Sequence, residues 1–142
     1  NGKINNIEKN PQNLLPIVME VASERKKIMQ VYGNNYNTPD GTCLRDYIHV
    51  NDLARGHVKA ISLLNSKNKI ITNLATGKFH SVLDVIHMAN KITGKDINYE
   101  ITNRRFGDPP SLYAKSNSIL NHKNKYSDLE TIISSMWKVY KK

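Results

Sequence analysis

An α/β fold is predicted for this 142-residue chain by three features of its sequence. Short runs rich in β-branched residues, IMQVYG, KIITNLATG and DINYEI, recur along its length. Between them, apolar residues fall at helical spacing. Cap-forming residues, notably Ser81 and Gly94, stand at the junctions. No repeat and no internal linker interrupts the alternation.

Residues 1–10, NGKINNIEKN, are polar and read as a loop or linker. Pro11 precedes a predicted helix in residues 13–27, where Leu14, Val18, Val21 and Ala22 share a face and Arg25, Lys26 and Lys27 suit a helix C-terminus. Residues 28–33 read as a strand closed by Gly33, and residues 34–42 as a turn-rich loop. In CLRDYIHVNDLARGHVKAI, residues 43–61, alternation places Leu44, Asp46, Ile48 and Val50 on one side and Arg45, Tyr47 and His49 on the other. Leu53, Ala54, His57, Val58 and Ile61 then fall at helical spacing, so an extended segment feeds a helix.

The β-branched residues 69–75 predict a further strand. Ser81 with Asp84 three positions on predicts an N-cap and capping box, and Gly94 a C-cap. Residues 96–101 alternate as a strand, while Gly107 and the Pro109-Pro110 pair mark residues 103–115 as a loop. Helices are predicted at 115–121 and 127–141, the second with Leu129, Ile132, Ile133, Met136, Trp137 and Tyr140 on one face.

The net charge of +9 raises the possibility of a nucleic-acid partner. Residues 1–71 hold ten Lys/Arg against six Asp/Glu, and residues 72–142 hold eleven against six, so the excess is spread rather than gathered in a patch. The aromatic residues form no pattern of a stacking platform, which places a basic RNA-binding module last among the competing classes. The single cysteine, Cys43, excludes an internal disulfide and suits a cytoplasmic protein. No apolar run is long enough for a membrane helix, and no Cys/His spacing suits zinc.

Two absences bear on catalysis. The seven glycines are isolated, so no Gly-rich turn brings backbone against a pyrophosphate. No tyrosine has a lysine four positions later, so the helical Tyr-Lys pair that serves some dehydrogenases as a base is missing. The five histidines are scattered, and Cys43 has no base in view. Arg45 and the Arg104-Arg105 pair, with Asp108 three positions beyond, stand out as rigid donors suited to phosphate oxygens. The plainer alternative is a structural ion pair, Arg45 with Asp46 or Asp52.

Several stretches in order, NLLP, VYGNNYNTPDGTCLRDYIHVNDLARGHVKA, NLATG, SVLDVI and RRFGDPPSLYA, resemble the C-terminal half of the UDP-glucose 4-epimerases, extended short-chain dehydrogenases/reductases. The resemblance runs from about Asn10 to the last helix, and RDYIHV is its most diagnostic part. It implies that residues 1–142 form the C-terminal nucleotide-sugar-binding part of an NAD-dependent epimerase fold whose Rossmann N-terminal half is missing. It implies NAD bound by that absent half, and interconversion of UDP-glucose and UDP-galactose through a 4-keto sugar. The 142 residues alone are expected to be inactive, and the complete enzyme to be a cytoplasmic homodimer. A related nucleotide-sugar dehydratase or decarboxylase is the nearer alternative.

Carried over by position, the resemblance places Asn13 at the diphosphate with Leu14 beside the uracil. It lines the uracil with Gln30, Val31 and Tyr32, and sets Val82 near the base. Arg45 and Arg105 fall on the diphosphate and Asp108 on the ribose. Leu112 walls the hexose pocket, where a tyrosine excludes and a smaller residue admits a 2-acetamido group.

Overall fold

The computed structural model describes residues 7–115 and 122–141. The predicted helix at 115–121 therefore falls, but for Lys115, outside the described residues. Helix α1 spans Leu14–Ala22, the extent of its apolar face and shorter than the predicted 13–27. The Ser23 hydroxyl donates to the Met19 carbonyl at 2.8 Å and Glu24 turns to φ 62°, so the basic residues 25–27 leave the helix axis. Strand β1, Met29–Tyr32, pairs in parallel with β4, Tyr99–Thr102, in the register Met29 to Tyr99.

Helix α3, Val82–Thr93, carries the predicted caps. Ser81 accepts from the Asp84 N–H while the Asp84 carboxylate accepts from the Ser81 N–H, and Gly94 closes the other end at φ 67°. Helix α4, Leu129–Tyr140, starts at Asp128, whose carboxylate accepts from the Thr131 N–H. The core lies where α1, α3 and α4 meet β1. Val18, Met19, Met29, Val31, Val85, Ile86 and Ile133 are nearly inaccessible there, and the predicted face of α4 supplies Leu129, Ile133 and Tyr140.

The RDYIHV region is extended and feeds a helix, as the alternation predicts, but forms no continuous strand. Only Leu44–Arg45 forms a strand, β2, which lies between β3, His80–Ser81, running antiparallel, and β5, Ser111–Leu112, running parallel. Strand β5 sits in the stretch that Gly and Pro mark as a loop; the Leu44 N–H donates to the Pro110 carbonyl at 2.8 Å, a pairing set from across the molecule. Residues 46–49 stay extended and lead into α2, Val50–Leu64, whose N-cap is His49. Its Nδ1 accepts from the Asn51 N–H at 3.0 Å.

The predicted strand at 69–75 does not form, and residues 69–79 belong to neither sheet. β-Branched residues favour strands when a pleated, half-buried surface is there to receive them, and Ile71 is instead 75% exposed. The apolar positions at helical spacing on α2 are not its buried ones, and Val58 and Ile61 lie in solvent.

Two carboxylates hold this half in place. Asp46 accepts from the Thr76 and Gly77 N–H groups at 3.0 and 2.8 Å, fastening β2 to the turn that follows residues 69–75. Asp52 is fully buried on α2 and accepts from the N–H groups of Lys125 and Tyr126, the Ser127 hydroxyl and Arg55. Burial opposes its charge, but those donors prevail and hold its pKa near 2.

Candidate functional site

A cavity of about 850 Å³ opens between the start of α1, strand β1, the RDYIHV segment and α4. Of the ten residues that the resemblance assigns to ligand binding, nine line it: Asn13, Leu14, Gln30, Val31, Tyr32, Arg45, Val82, Arg105 and Asp108. These positions span residues 13 to 108, and folding brings them together. Leu112 is not among the lining residues. It lies on β5 in register with Arg45 and is 60% exposed.

Each side chain is placed by its local structure. Asn13 is the N-cap of α1, yet its side chain makes no cap hydrogen bond. The amide is therefore left at the cavity beside the positive end of the helix dipole. Strand β1 sends Gln30 and Tyr32 toward one side, and the Tyr32 hydroxyl donates to Gln30 Oε1 at 2.8 Å. One face of the Tyr32 ring carries the Arg105 guanidinium, 3.8 Å from its centroid.

Arg45 is gripped rather than loose. Its Nη1 donates to the Leu44 and Pro109 carbonyls at 2.8 and 3.1 Å, and its Nη2 to Asp108 Oδ1 at 2.9 Å. The structural partner is thus Asp108, across the cavity wall, and neither Asp46 nor Asp52. A guanidinium has five N–H donors, so its Nε–H and one Nη2 proton remain for an incoming anion. Arg104 turns away from the cavity: its Nε donates to Asn35 Oδ1 at 2.7 Å, its Nη2 also meets the Asn35 carbonyl, and it lies 4.1 Å from the Tyr36 ring centroid. Gly33 makes that crossing feasible, because a Cβ there would sit 2.7 Å from both Arg104 and Tyr36.

Tyr47 and His49 also line the cavity without having been singled out by motif. The alternation does not single them out, since Ile48 and Val50 of its other side line the cavity as well. Burial drives the Tyr47 hydroxyl up to about 12, so it meets the cavity as a neutral group at ordinary pH. His49 Nε2 lies 3.1 Å from the Ser135 hydroxyl, which joins α2 to α4 at the cavity's far side. Ile132 and Met136 line that side too, while Arg45, Arg105 and Asp108 bring charge to the cavity. Among the described residues no cluster of three or more His, Cys, Asp or Glu could hold a metal, and no helix is long and apolar enough to cross a membrane.

The NAD dependent epimerase/dehydratase family model matches residues 2–75. The chain belongs to that family. A UDP-glucose 4-epimerase from Halalkalibacterium halodurans is 40% identical over 145 residues, covering 99% of this chain and 43% of that protein. One from Bifidobacterium longum is 49% identical over 104 residues, covering 73% of this chain and 31% of its own length. Among solved structures of the family, a UDP-glucose 4-epimerase from Brucella ovis in complex with NAD superposes with a TM-score of 0.88 at 38% identity, over 96% of this chain and 44% of that one. The Bifidobacterium longum enzyme in complex with NAD+ and UDP gives 0.86 at 41% identity, over 92% and 40%. The chain therefore spans less than half the length of the relatives it matches.

NAD use characterises this epimerase family. Among the described residues the glycines are isolated, and no strand runs through a Gly-rich turn into a helix N-terminus.

Proposed function

We propose that this chain is the UDP-sugar-binding part of a UDP-glucose 4-epimerase, with residues 1–10 leading from an NAD-binding part. The observation that carries this reading is the gathering of Asn13, Gln30, Tyr32, Arg45, Arg105 and Asp108 on one cavity, together with the named relatives. NAD, held by the other part, supplies reversible hydride transfer at the sugar C4. This chain's residues grip the nucleotide. Arg45, Arg105 and the N-terminus of α1 place positive charge where a diphosphate lies, and Asp108, already fixed by Arg45, offers Oδ2 to a ribose hydroxyl.

This division suits the chemistry. Binding energy placed on UDP, remote from the reacting carbon, holds the substrate while the hexose turns to present its other face. The reading places the complete enzyme in the cytoplasm, as a homodimer.

Titration of the isotope-labelled chain with UDP-glucose, followed by nuclear magnetic resonance, is expected to shift the amides of Leu14, Gln30, Val31, Tyr32 and Asp108. Shifts confined to the α3 surface around His87 would contradict the assignment. No turnover of UDP-galactose is expected from the 142 residues alone, and measurable turnover would overturn the division of labour.

Leu112 serves in this reading as the wall of the hexose site. In the complete enzyme, Leu112→Tyr is expected to remove activity on UDP-N-acetylglucosamine while sparing UDP-glucose, because a ring fills the space an acetamido group needs. Comparing the two rates before and after substitution checks this. A parent enzyme without N-acetyl activity, or a variant that loses none, takes the gate away from Leu112.

A further inference from the structure

Arg104 and Arg105, adjacent in the chain, rest on two different tyrosines. The Arg105 guanidinium lies 3.8 Å from the Tyr32 ring centroid, and Arg105 lines the cavity. The Arg104 guanidinium lies 4.1 Å from the Tyr36 ring centroid, outside the cavity lining. The Gly33 N–H donates to the Thr102 carbonyl at 2.9 Å, which draws the chain after β1 against the chain after β4. Arg104 crosses directly over Gly33, at φ 84°, where a Cβ would lie 2.7 Å from the Arg104 Cγ.

The two arginines are held very differently. Tyr36 is 5% exposed, and its N–H donates to the Gly41 carbonyl at 2.9 Å, so the platform under Arg104 is closed and packed. Arg104 adds two hydrogen bonds to Asn35, one to the side chain at 2.7 Å and one to the backbone carbonyl. Among the described residues Arg105 makes no hydrogen bond or ion pair, only its ring contact. A long cationic side chain so held keeps much of its rotamer freedom unless the backbone beneath it is fixed. We propose that Arg104 is a positioning residue for nucleoside diphosphate binding: by fastening its peptide to Asn35 and Tyr36 it fixes the backbone from which Arg105 reaches over Tyr32 into the cavity. Asp108 is held separately by Arg45 at 2.9 Å, so a loss of Arg104 acts on Arg105. The effect on ligand rests on the proposed function, in which Arg105 meets the diphosphate, while the placement of Arg105 does not.

Calorimetric titration of the 142-residue chain with UDP and with uridine tests this in wild type, Arg104→Ala, Arg105→Ala and the double variant. A side chain ordered in advance loses less freedom on binding, so Arg104→Ala is expected to weaken UDP binding about three- to tenfold. Uridine has no diphosphate, and its affinity is expected to change by less than about twofold. In the Arg105→Ala background, Arg104→Ala is expected to cost nothing further, within about twofold. Asn35→Ala, which removes one of the two hydrogen bonds, carries the same comparison should Arg104→Ala fail to fold.

Unchanged UDP affinity in Arg104→Ala, a loss shared equally by UDP and uridine, or a loss that persists in full without Arg105 would overturn the proposal. Nitrogen-15 relaxation of the Arg105 Nε–H is measured alongside, and its order parameter is expected to fall in Arg104→Ala. Equal affinity of the wild-type chain for UDP and uridine would remove the functional reading. The relaxation then decides the placement by itself: a lower order parameter supports it, and an unchanged one overturns it.

Discussion

Asp52→Ala is expected to cost about 3 kcal/mol or more of folding stability, among the largest effects of any single substitution here. The carboxylate is fully buried and accepts from two backbone N–H groups and one hydroxyl, at 2.9, 2.7 and 2.7 Å. Removing it strands those donors, and a buried donor without a partner costs roughly 1–3 kcal/mol. Arg55 adds little, because its side chain is 46% exposed and water screens the pair.

The pH dependence has a definite sign. The folded carboxyl titrates near 2 against an ordinary value of 3.8, so its stabilisation is complete above the ordinary value and is lost as pH falls through the folded one. That shift corresponds to about 2 kcal/mol. Urea denaturation of wild type and Asp52→Ala at pH 7 and pH 2.5 checks both statements, with the gap between the two expected to narrow at the lower pH. A gap of the same size at both would show that charge on Asp52 does not hold the 125–127 turn.

Arg45→Ala and Arg105→Ala are each expected to weaken UDP binding by about 1.5–3 kcal/mol, the range for a charged hydrogen bond, or roughly 10- to 150-fold. The two should differ in their side effects. Arg45 is fastened to Asp108 and to the Leu44 and Pro109 carbonyls, so its loss also frees the carboxylate proposed to meet the ribose. Arg105 rests on the Tyr32 ring, and its loss leaves the strand edge unchanged. Arg45→Lys should recover only part of the affinity, since an ammonium cannot bridge Asp108 and a phosphate with the same planar fork. Calorimetric affinities for the three variants, with folding checked by circular dichroism, decide the matter. Unchanged affinity for both alanine variants returns the arginines to purely structural roles.

The sequence made the local features plain and left the long-range ones hidden. The capping box at Ser81 and the Gly94 cap could be read directly, because both are set by residues within a few positions of one another. The apolar face of α4 was equally legible. Strand β5 was not: two residues after a Pro-Pro pair become a strand only because Leu44 and Arg45 lie alongside them, 67 positions earlier in the register. The roles of Asp46 and Asp52 were hidden for the same reason, since their partners lie some 30 and 73 to 75 residues further along. The site residues came from the motif resemblance rather than from periodicity, and the cavity then showed how separate stretches of chain converge. The absence of a strand at 69–75 and the outward turn of α2 share one physical cause. Both stretches carry the pattern of elements that pack against something, and no core among the described residues receives them.

Equilibrium titration of the unmodified 142-residue chain with UDP, uridine and ADP asks whether the cavity is built for uridine diphosphate. UDP is expected to bind at least about tenfold more tightly than uridine, since Arg45 and Arg105 are proposed to meet the diphosphate. UDP is also expected to bind more tightly than ADP, since β1 and Val82 are proposed to shape the base end for a pyrimidine. Equal affinities for UDP and uridine, or ADP binding as tightly as UDP, would contradict a cavity built for uridine diphosphate.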